Sequence, residues 1–254
     1  MKKVALMICF SLFLLAGCTK PAEVQETPVI QQEEQPQVVE EISVFDGKII
    51  VVDAGHGISG VSRQEAIAPG SSQTKSAFVS GTRGANQTEE ELNLAIALIL
   101  QKTLEEKGAL VHMTRTDHTT DKSNIDRAVF GNELNADISV KIHADGSNNP
   151  DARGVSMLVP GNQHVNGDVV AASRRAGELV LEGIVAQTGA ANRGISVRND
   201  MTGFNWSEVP VILAEVGFMT NPAEDALLET DEYRKKIVSG IVDGLEKYFS
   251  ETYK

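Results

Sequence analysis

The sequence predicts an α/β protein, a single domain on a mainly parallel, twisted sheet with helices on both faces. Two observations carry this. Short apolar runs of strand length recur from Lys48 to Ala214, and longer helical patterns separate most of them. The first run, Lys48-Ile49-Ile50-Val51-Val52, is β-branched and apolar without alternation, as expected of a strand covered on both faces. At 254 residues, 41% of them hydrophobic, the chain can bury one sizeable core.

The chain opens with Met1-Lys2-Lys3, an apolar run from Val4 to Ala16, and Leu15-Ala16-Gly17-Cys18. A charged start, a hydrophobic segment and a small-residue cleavage site together form an export signal. The apolar run is shorter than the ~20 residues that span a bilayer. A cysteine directly after Leu-Ala-Gly resembles the bacterial lipobox, which implies that residues 1–17 are removed and that Cys18 is lipidated. Cys9 would leave with the signal, so no disulfide is expected within the domain. From Thr19 to about Glu41, Pro, Gln, Glu and Val alternate without helical or strand order, a composition that reads as an extended tether. The expected organisation is a signal over 1–17, a lipidated N-terminus and tether over 18–47, and one domain over 48–254.

The first strand ends at Asp53-Ala54-Gly55, and residues Ile58 to Gln87, rich in Gly, Ser, Thr and Asn, read as a long loop. Thr88-Glu89-Glu90-Glu91 has the form of a capping box and starts a helix that stops near Gly108. Strands are expected over Ala109–Met113, Ile138–Ile142, Val155–Val159 and Val209–Ala214. Helices are expected over Asn124–Asn135, Asp168–Thr188 and Asp231–Phe249. The formal net charge of -12 would repel phosphates, so nucleic acid is excluded as a partner.

In open α/β sheets, ligands bind beyond the carboxyl ends of the strands. His56 follows the first strand in Asp53-Ala54-Gly55-His56-Gly57, His143 closes Val140-Lys141-Ile142-His143, and Glu215 ends Val209-Pro210-Val211-Ile212-Leu213-Ala214-Glu215. Two imidazoles with a carboxylate suit zinc, and Glu89, in the first turn of its helix, is the best remaining acidic ligand. Position alone leaves other readings open. A strand-end histidine is often an ordinary satisfied polar group, Glu89 fits a plain helix-terminus charge, and Glu215 could pair with an arginine. A carboxylate after an apolar run is partly desolvated, however, and either finds a cation or does chemistry.

Four segments taken in order carry a resemblance: Ile50-Val51-Val52-Asp53-Ala54-Gly55-His56-Gly57; Glu89 through Asn93-Leu94; Val140-Lys141-Ile142-His143-Ala144; and Pro210 through Glu215-Val216-Gly217-Phe218-Met219-Thr220-Asn221. Together they resemble the zinc amidase family Amidase_3 over about Lys48 to Tyr248. The resemblance implies a fold like the zinc aminopeptidase and phosphorylase-hydrolase proteins. It also implies hydrolysis of the amide between N-acetylmuramic acid and L-alanine in peptidoglycan. By motif, His56, Glu89 and His143 would bind Zn2+. Glu215 would be the catalytic carboxylate that takes a proton from the attacking water and passes it to the leaving nitrogen.

Where the family commonly has Ser-Ile-His-Ala-Asn, this chain has Lys141-Ile142-His143-Ala144-Asp145, and Lys141 is expected to pair with Asp145 or Glu215, or to shift how the carbonyl is held. Asp53 would orient His56 or cap the turn. Arg127 would anchor its helix to the sheet, and Arg193-Gly194 and Asn205-Trp206 fall in a loop that could touch substrate. His112, His118 and His164 read as structural or surface residues. With the export signal, the resemblance implies a cell-wall hydrolase held to the membrane by its N-terminal lipid on the extracytoplasmic side, facing peptidoglycan. A catalytically weak binding or regulatory lipoprotein, or a zinc peptidase, are the alternatives.

Overall fold

The computed structural model describes residues 43–252. The expected signal, Cys18 and the tether up to Ile42 lie outside them. In chain order the elements are β1 (Ile49–Ala54), β2 (Gln64–Ala66), β3 (Thr74–Ser76), α1 (Glu89–Glu106), β4 (Leu110–Met113), α2 (Asn124–Glu133), β5 (Ile138–Asp145), β6 (Val155–Pro160), α3 (Gly167–Thr188), β7 (Asn192–Arg198), α4 (Thr202–Asn205), β8 (Val211–Phe218), α5 (Pro222–Leu228) and α6 (Asp231–Thr252).

The main sheet has the order β4-β1-β5-β8-β6-β7. Every neighbouring pair is parallel except β6 with β8. The chain leaves β1 through α1 to β4, then crosses back through α2 to β5 on the other side of β1. That reversal opens a crevice beyond the carboxyl ends of β1 and β5, where an open α/β sheet binds ligands.

Alternation along the strands sorts their side chains between the two faces. Ile50, Val52, Val140, Ile142, Ile212 and Ala214 turn to the face covered by α1, α3 and α6, and join Leu92, Leu100, Ile184, Ile237 and Leu245 in the main core. The long helices α3 and α6 meet backbone to backbone there. A methyl group on Gly183 would lie 2.1 Å from the Gly240 carbonyl, and one on Gly244 2.4 Å from Val180 Cα, so glycine at these positions sets how closely the helices approach. On the opposite face, under α2 and α4, Leu158, Phe204, Val211 and Leu213 form a smaller cluster. Asp53, Lys141, His143 and Glu215 share the strand parity of that face. Among the described residues no helix is long and apolar enough to cross a membrane.

The packed domain begins slightly ahead of Lys48, because Phe45 is buried and stacks edge-on against Phe249 of α6 at 5.8 Å. Arg193 and Gly194 do not lie in a loop, as expected, but in β7. It is the sheet's edge strand and pairs only with β6, so one side faces water and its sequence, Asn-Arg-Gly-Ile-Ser-Val-Arg, lacks an apolar run. The segment from Ile58 to Gln87 contains the small hairpin β2–β3. Trp206 Nε1 donates to Ala66 O (3.1 Å), Asn205 Nδ2 donates to Ile67 O (2.9 Å), and Glu65 accepts from the first-turn amide of Ile125 in α2 (3.2 Å). Asn205 and Trp206 thus pin the hairpin in place, and Lys75 and Ser76 of its second strand line the crevice.

Candidate active site

Thr88 caps α1 as a capping box, its side chain accepting from Glu91 N while Glu91 Oε2 accepts from Thr88 N at 2.7 Å. The cap starts the helix at Glu89 and turns that side chain into the crevice. His56 sits between two glycines with φ +58°, a left-handed conformation that costs a non-glycine residue about 1 kcal/mol or more. It is held there from two sides. Arg127 Nη2 donates to the His56 carbonyl (2.5 Å), and His56 Nδ1 lies 2.9 Å from Val79 O. His143 stands at the end of β5, beside Glu215 on β8.

These elements bring His56 Nε2 and His143 Nδ1 each to 3.0 Å from Glu89 Oε1, with the two rings edge to face at 4.8 Å. One ligand atom from each of the three residues falls within 4.8 Å of the others. Two imidazole nitrogens and one carboxylate oxygen converging in this way fit a divalent metal and leave a position open for water and substrate. Glu89 is buried, and its orientation is fixed by three further contacts. Thr82 N donates to Oε2 (2.8 Å), Ala144 N to Oε1 (3.2 Å), and Asn93 Nδ2 bridges Oε1 and the Gly55 carbonyl, each at 3.3 Å. Outer partners of this kind orient metal ligands.

The electrostatics divide the carboxylates. Burial alone would raise Glu89, but hydrogen bonds from His143 and His56 outweigh it and hold Glu89 well below the usual carboxylate range. Burial likewise opposes protonation of His56, yet its bond to Glu89 lifts it above the ordinary value, whereas at His143 burial outweighs the bond to Glu89 and lowers it. Glu215 is pushed up to about 8, first by burial and then by the charges of Glu89 and Asp145. Its Oε2 is buried without a hydrogen-bond partner, and among the described residues it forms no ion pair. Without a cation the carboxyl therefore holds its proton near neutral pH, and a cation at the three ligand candidates beside it would relieve the repulsion and favour the carboxylate that can accept one.

Two expectations fail here. Lys141 pairs with neither Asp145 nor Glu215. Strand register sets it opposite Asp53, and their side chains form a buried ion pair. Asp53 in turn does not touch His56. It accepts from Arg127 Nη1 (2.5 Å) and Thr114 Oγ1 (2.6 Å) as well as Lys141, and those cations hold it well below the usual range although burial acts the other way. Arg127 ties α2 to the end of β1, through Ala54 O (2.9 Å) and the His56 carbonyl.

Sequence reasoning missed Arg115, which is buried and donates to the carbonyls of Ala54 (2.9 Å), Gly55 (2.9 Å), Glu90 (2.7 Å) and Asp117 (2.8 Å), locking the β1 turn to the start of α1. Its signal was available, since Thr114-Arg115 follows a strand end. His112 stacks on Phe130 within the fold, His118 meets Glu90 at 3.2 Å on the surface, and His164 is exposed.

Gly55 is indispensable for space. A methyl group there would lie 2.4 Å from His143 Nε2 and Cε1. Gly55→Ala is therefore expected to displace the ring and weaken metal affinity roughly 10–100-fold, as loss of a ligand-orienting contact does. Metal titration of the variant followed by calorimetry checks this.

The chain matches the family model described as N-acetylmuramoyl-L-alanine amidase, Amidase_3, over residues 50–247. It is 29% identical over 207 residues to the probable cell wall amidase LytH of Staphylococcus aureus, covering 81% of this chain and 60% of that protein. The chain thus spans about 60% of the length of the curated relatives it matches. Among solved structures it is similar to the N-acetylmuramyl-L-alanine amidase Ami1 of Mycobacterium smegmatis (26% identity, TM-score 0.74, 82% of this chain and 99% of that one). It is also similar to an N-acetylmuramoyl-L-alanine amidase of Clostridium difficile 630 (28%, TM-score 0.66, 81% and 98%). With the matched segment covering most of the domain and every motif in order, the chain belongs to the N-acetylmuramoyl-L-alanine amidase family Amidase_3.

Proposed function

We propose that the protein is a zinc-dependent N-acetylmuramoyl-L-alanine amidase that cuts stem peptides from peptidoglycan. The observation that carries this is the convergence of His56, Glu89 and His143 beside the unpartnered Glu215 carboxylate in one crevice. When bound, zinc supplies a Lewis acid for the amide carbonyl and lowers the pKa of water toward ~7. The rest falls to the chain. Glu215 takes a proton from the attacking water at its free Oε2 and delivers it to the departing L-alanine nitrogen. Glu89 keeps its charge at any working pH because two imidazoles and two backbone amides hold it. Asp53 ties Lys141 and Arg127 together on the floor of the crevice, and Arg127 braces the His56 backbone.

The full chain, stripped by chelator and dialysed, is expected to lose peptidoglycan hydrolysis and to regain it as zinc reaches one equivalent. Hydrolysis indifferent to stripping would remove the metal mechanism. Zinc binding without hydrolysis would favour a binding or regulatory role.

We place the protein on the extracytoplasmic side, held by lipid on Cys18 and reaching the wall through the tether. The support is the Lys2-Lys3 start, the apolar run and Leu15-Ala16-Gly17-Cys18. Cys18→Ala is expected to move the protein from the membrane to the soluble fraction. Retention on the membrane would point to another anchor.

A further inference from the structure

The crevice carries a cation that the mechanism does not use. It is a cleft of about 690 Å³ whose walls include His56, Glu89, His143 and Glu215, and also Lys75 on β3. Lys75 is half-buried, and among the described residues its ammonium donates one hydrogen bond, to the Asp200 carbonyl at 3.3 Å. The two carboxylates near it are engaged elsewhere. Glu65 accepts from Asn124 Nδ2 (2.8 Å) and Ile125 N (3.2 Å), and Asp200 is gripped by Arg198 through both its oxygens (2.8 and 2.7 Å). Among the described residues Lys75 forms no ion pair. The other cations of the cleft are occupied, Lys141 and Arg127 by Asp53 and Lys122 by the face of Phe130 at 5.4 Å. Burial lowers the Lys75 ammonium, and the charges of Glu65 and Asp200, acting the other way, do not make up for it. A partly desolvated ammonium in a binding cleft gains most from an anion brought by the ligand.

Placement supports such a role. Lys75 lies four residues before Val79, whose carbonyl meets His56 Nδ1, so its backbone is within about 14 Å of that contact along the chain. Resting on the proposed function, the scissile amide sits at the ligand cluster, and the next stem residue follows L-alanine. In peptidoglycan that residue is a glutamate linked through its side-chain carboxyl, so its α-carboxyl is either free or amidated. The muramoyl side offers no free carboxylate before cleavage, since its lactyl carboxyl is in the amide.

We infer that Lys75 is a specificity residue that recognises the free α-carboxylate of the second stem residue, so that the enzyme discriminates against stems amidated at that position. A carboxylate accepts a charge-assisted bond from the ammonium, whereas the neutral amide brings no charge to pair with it.

The test compares two dipeptides whose γ-carboxyl is capped as the methylamide, as the third stem residue caps it in peptidoglycan, one with a free and one with an amidated glutamate α-carboxyl, and their N-acetylmuramoyl conjugates, with the full zinc-loaded chain and with Glu215→Gln. Calorimetric binding of the dipeptides reads the subsite whether or not turnover occurs. The free carboxylate is expected to bind about tenfold more tightly, the scale of one charge-assisted hydrogen bond. The same ratio should appear in kcat/KM for the conjugates, mostly through KM, and should shrink with added salt. In Lys75→Gln the ratio falls to near one, in Lys75→Arg it is largely kept, and in Lys75→Glu it inverts. Equal binding of both dipeptides by the wild type, or a preference that survives Lys75→Gln, overturns the inference. Failure to cleave either conjugate while the dipeptide preference follows Lys75 would count against the proposed reaction and leave the subsite standing.

Discussion

Glu215→Gln is expected to lower kcat on peptidoglycan by about 10²–10⁴, the range that a positioned acid or base contributes, while zinc affinity changes little. Glu215 is outside the group of converging ligand atoms, which is made by His56, Glu89 and His143. The amide is close to the carboxylate in size, so the crevice keeps its shape, but it cannot accept and return a proton. The same variant should not be less stable. In the wild type Glu215 is buried, repelled by Glu89 and Asp145, and left with an unpartnered oxygen. Above pH about 8, where the metal-free wild type must hold Glu215 as a carboxylate, the neutral amide removes the repulsion, so the metal-free variant is expected to melt there at the wild-type temperature or above. Loss of activity with loss of stability would instead assign Glu215 a structural role. Thermal denaturation beside the rate measurement separates the two.

Asp53→Asn should have the largest effect on stability, about 3–5 kcal/mol, because breaking a buried ion pair leaves its partners uncompensated. Here two cations are stranded, Lys141 and Arg127, both nearly inaccessible to water. Damage should spread to the site, since Arg127 also holds the His56 carbonyl in its left-handed turn. The pH dependence follows from the direction of the shift. Asp53 is held below its ordinary value in the folded state, so its contribution is fully present above the usual carboxylate range and is lost as pH falls below it. Urea denaturation at pH 7 and at successively lower pH should therefore show the gap between wild type and Asp53→Asn narrowing in acid. A gap that stays constant into strong acid would contradict the assignment.

Much of the fold was legible because buried parallel strands and capped helices announce themselves locally. The runs around Val51, Val140 and Ile212 needed only their own composition, and Thr88 with Glu91 marked the start of α1 to the residue. The edge strand β7 was hidden by its own exposure. Asn192-Arg193-Gly194 gains its structure from one neighbour, β6, which the local sequence does not reveal. The hairpin β2–β3 was hidden for a related reason, since what pins it, Trp206, Asn205 and the start of α2, lies more than forty residues away in the chain.

At the site, strand-end logic brought forward His56, His143 and Glu215, and the helix start brought forward Glu89. The structure gathers all four in one crevice. What could not be read was which charge meets which. Lys141 seemed free to reach Asp145 or Glu215 until the pairing of β1 with β5 set it opposite Asp53. Register of this kind belongs to the assembled sheet and not to either strand. Lys75 was missed for the same reason, since its meaning depends on a carbonyl and carboxylates distant in sequence, whereas Arg115 was overlooked although it follows a strand end.

The central claim is that this crevice hydrolyses the muramoyl–L-alanine amide. The most direct test is end-group analysis of purified peptidoglycan digested by the full zinc-loaded chain, with Glu215→Gln in parallel. The expected result is new L-alanine amino termini, glycan strands bearing free lactyl carboxylates, and neither product from the variant. New amino termini on other stem residues would make the protein a peptidase, and L-alanine termini released equally by Glu215→Gln would contradict the assignment of its base.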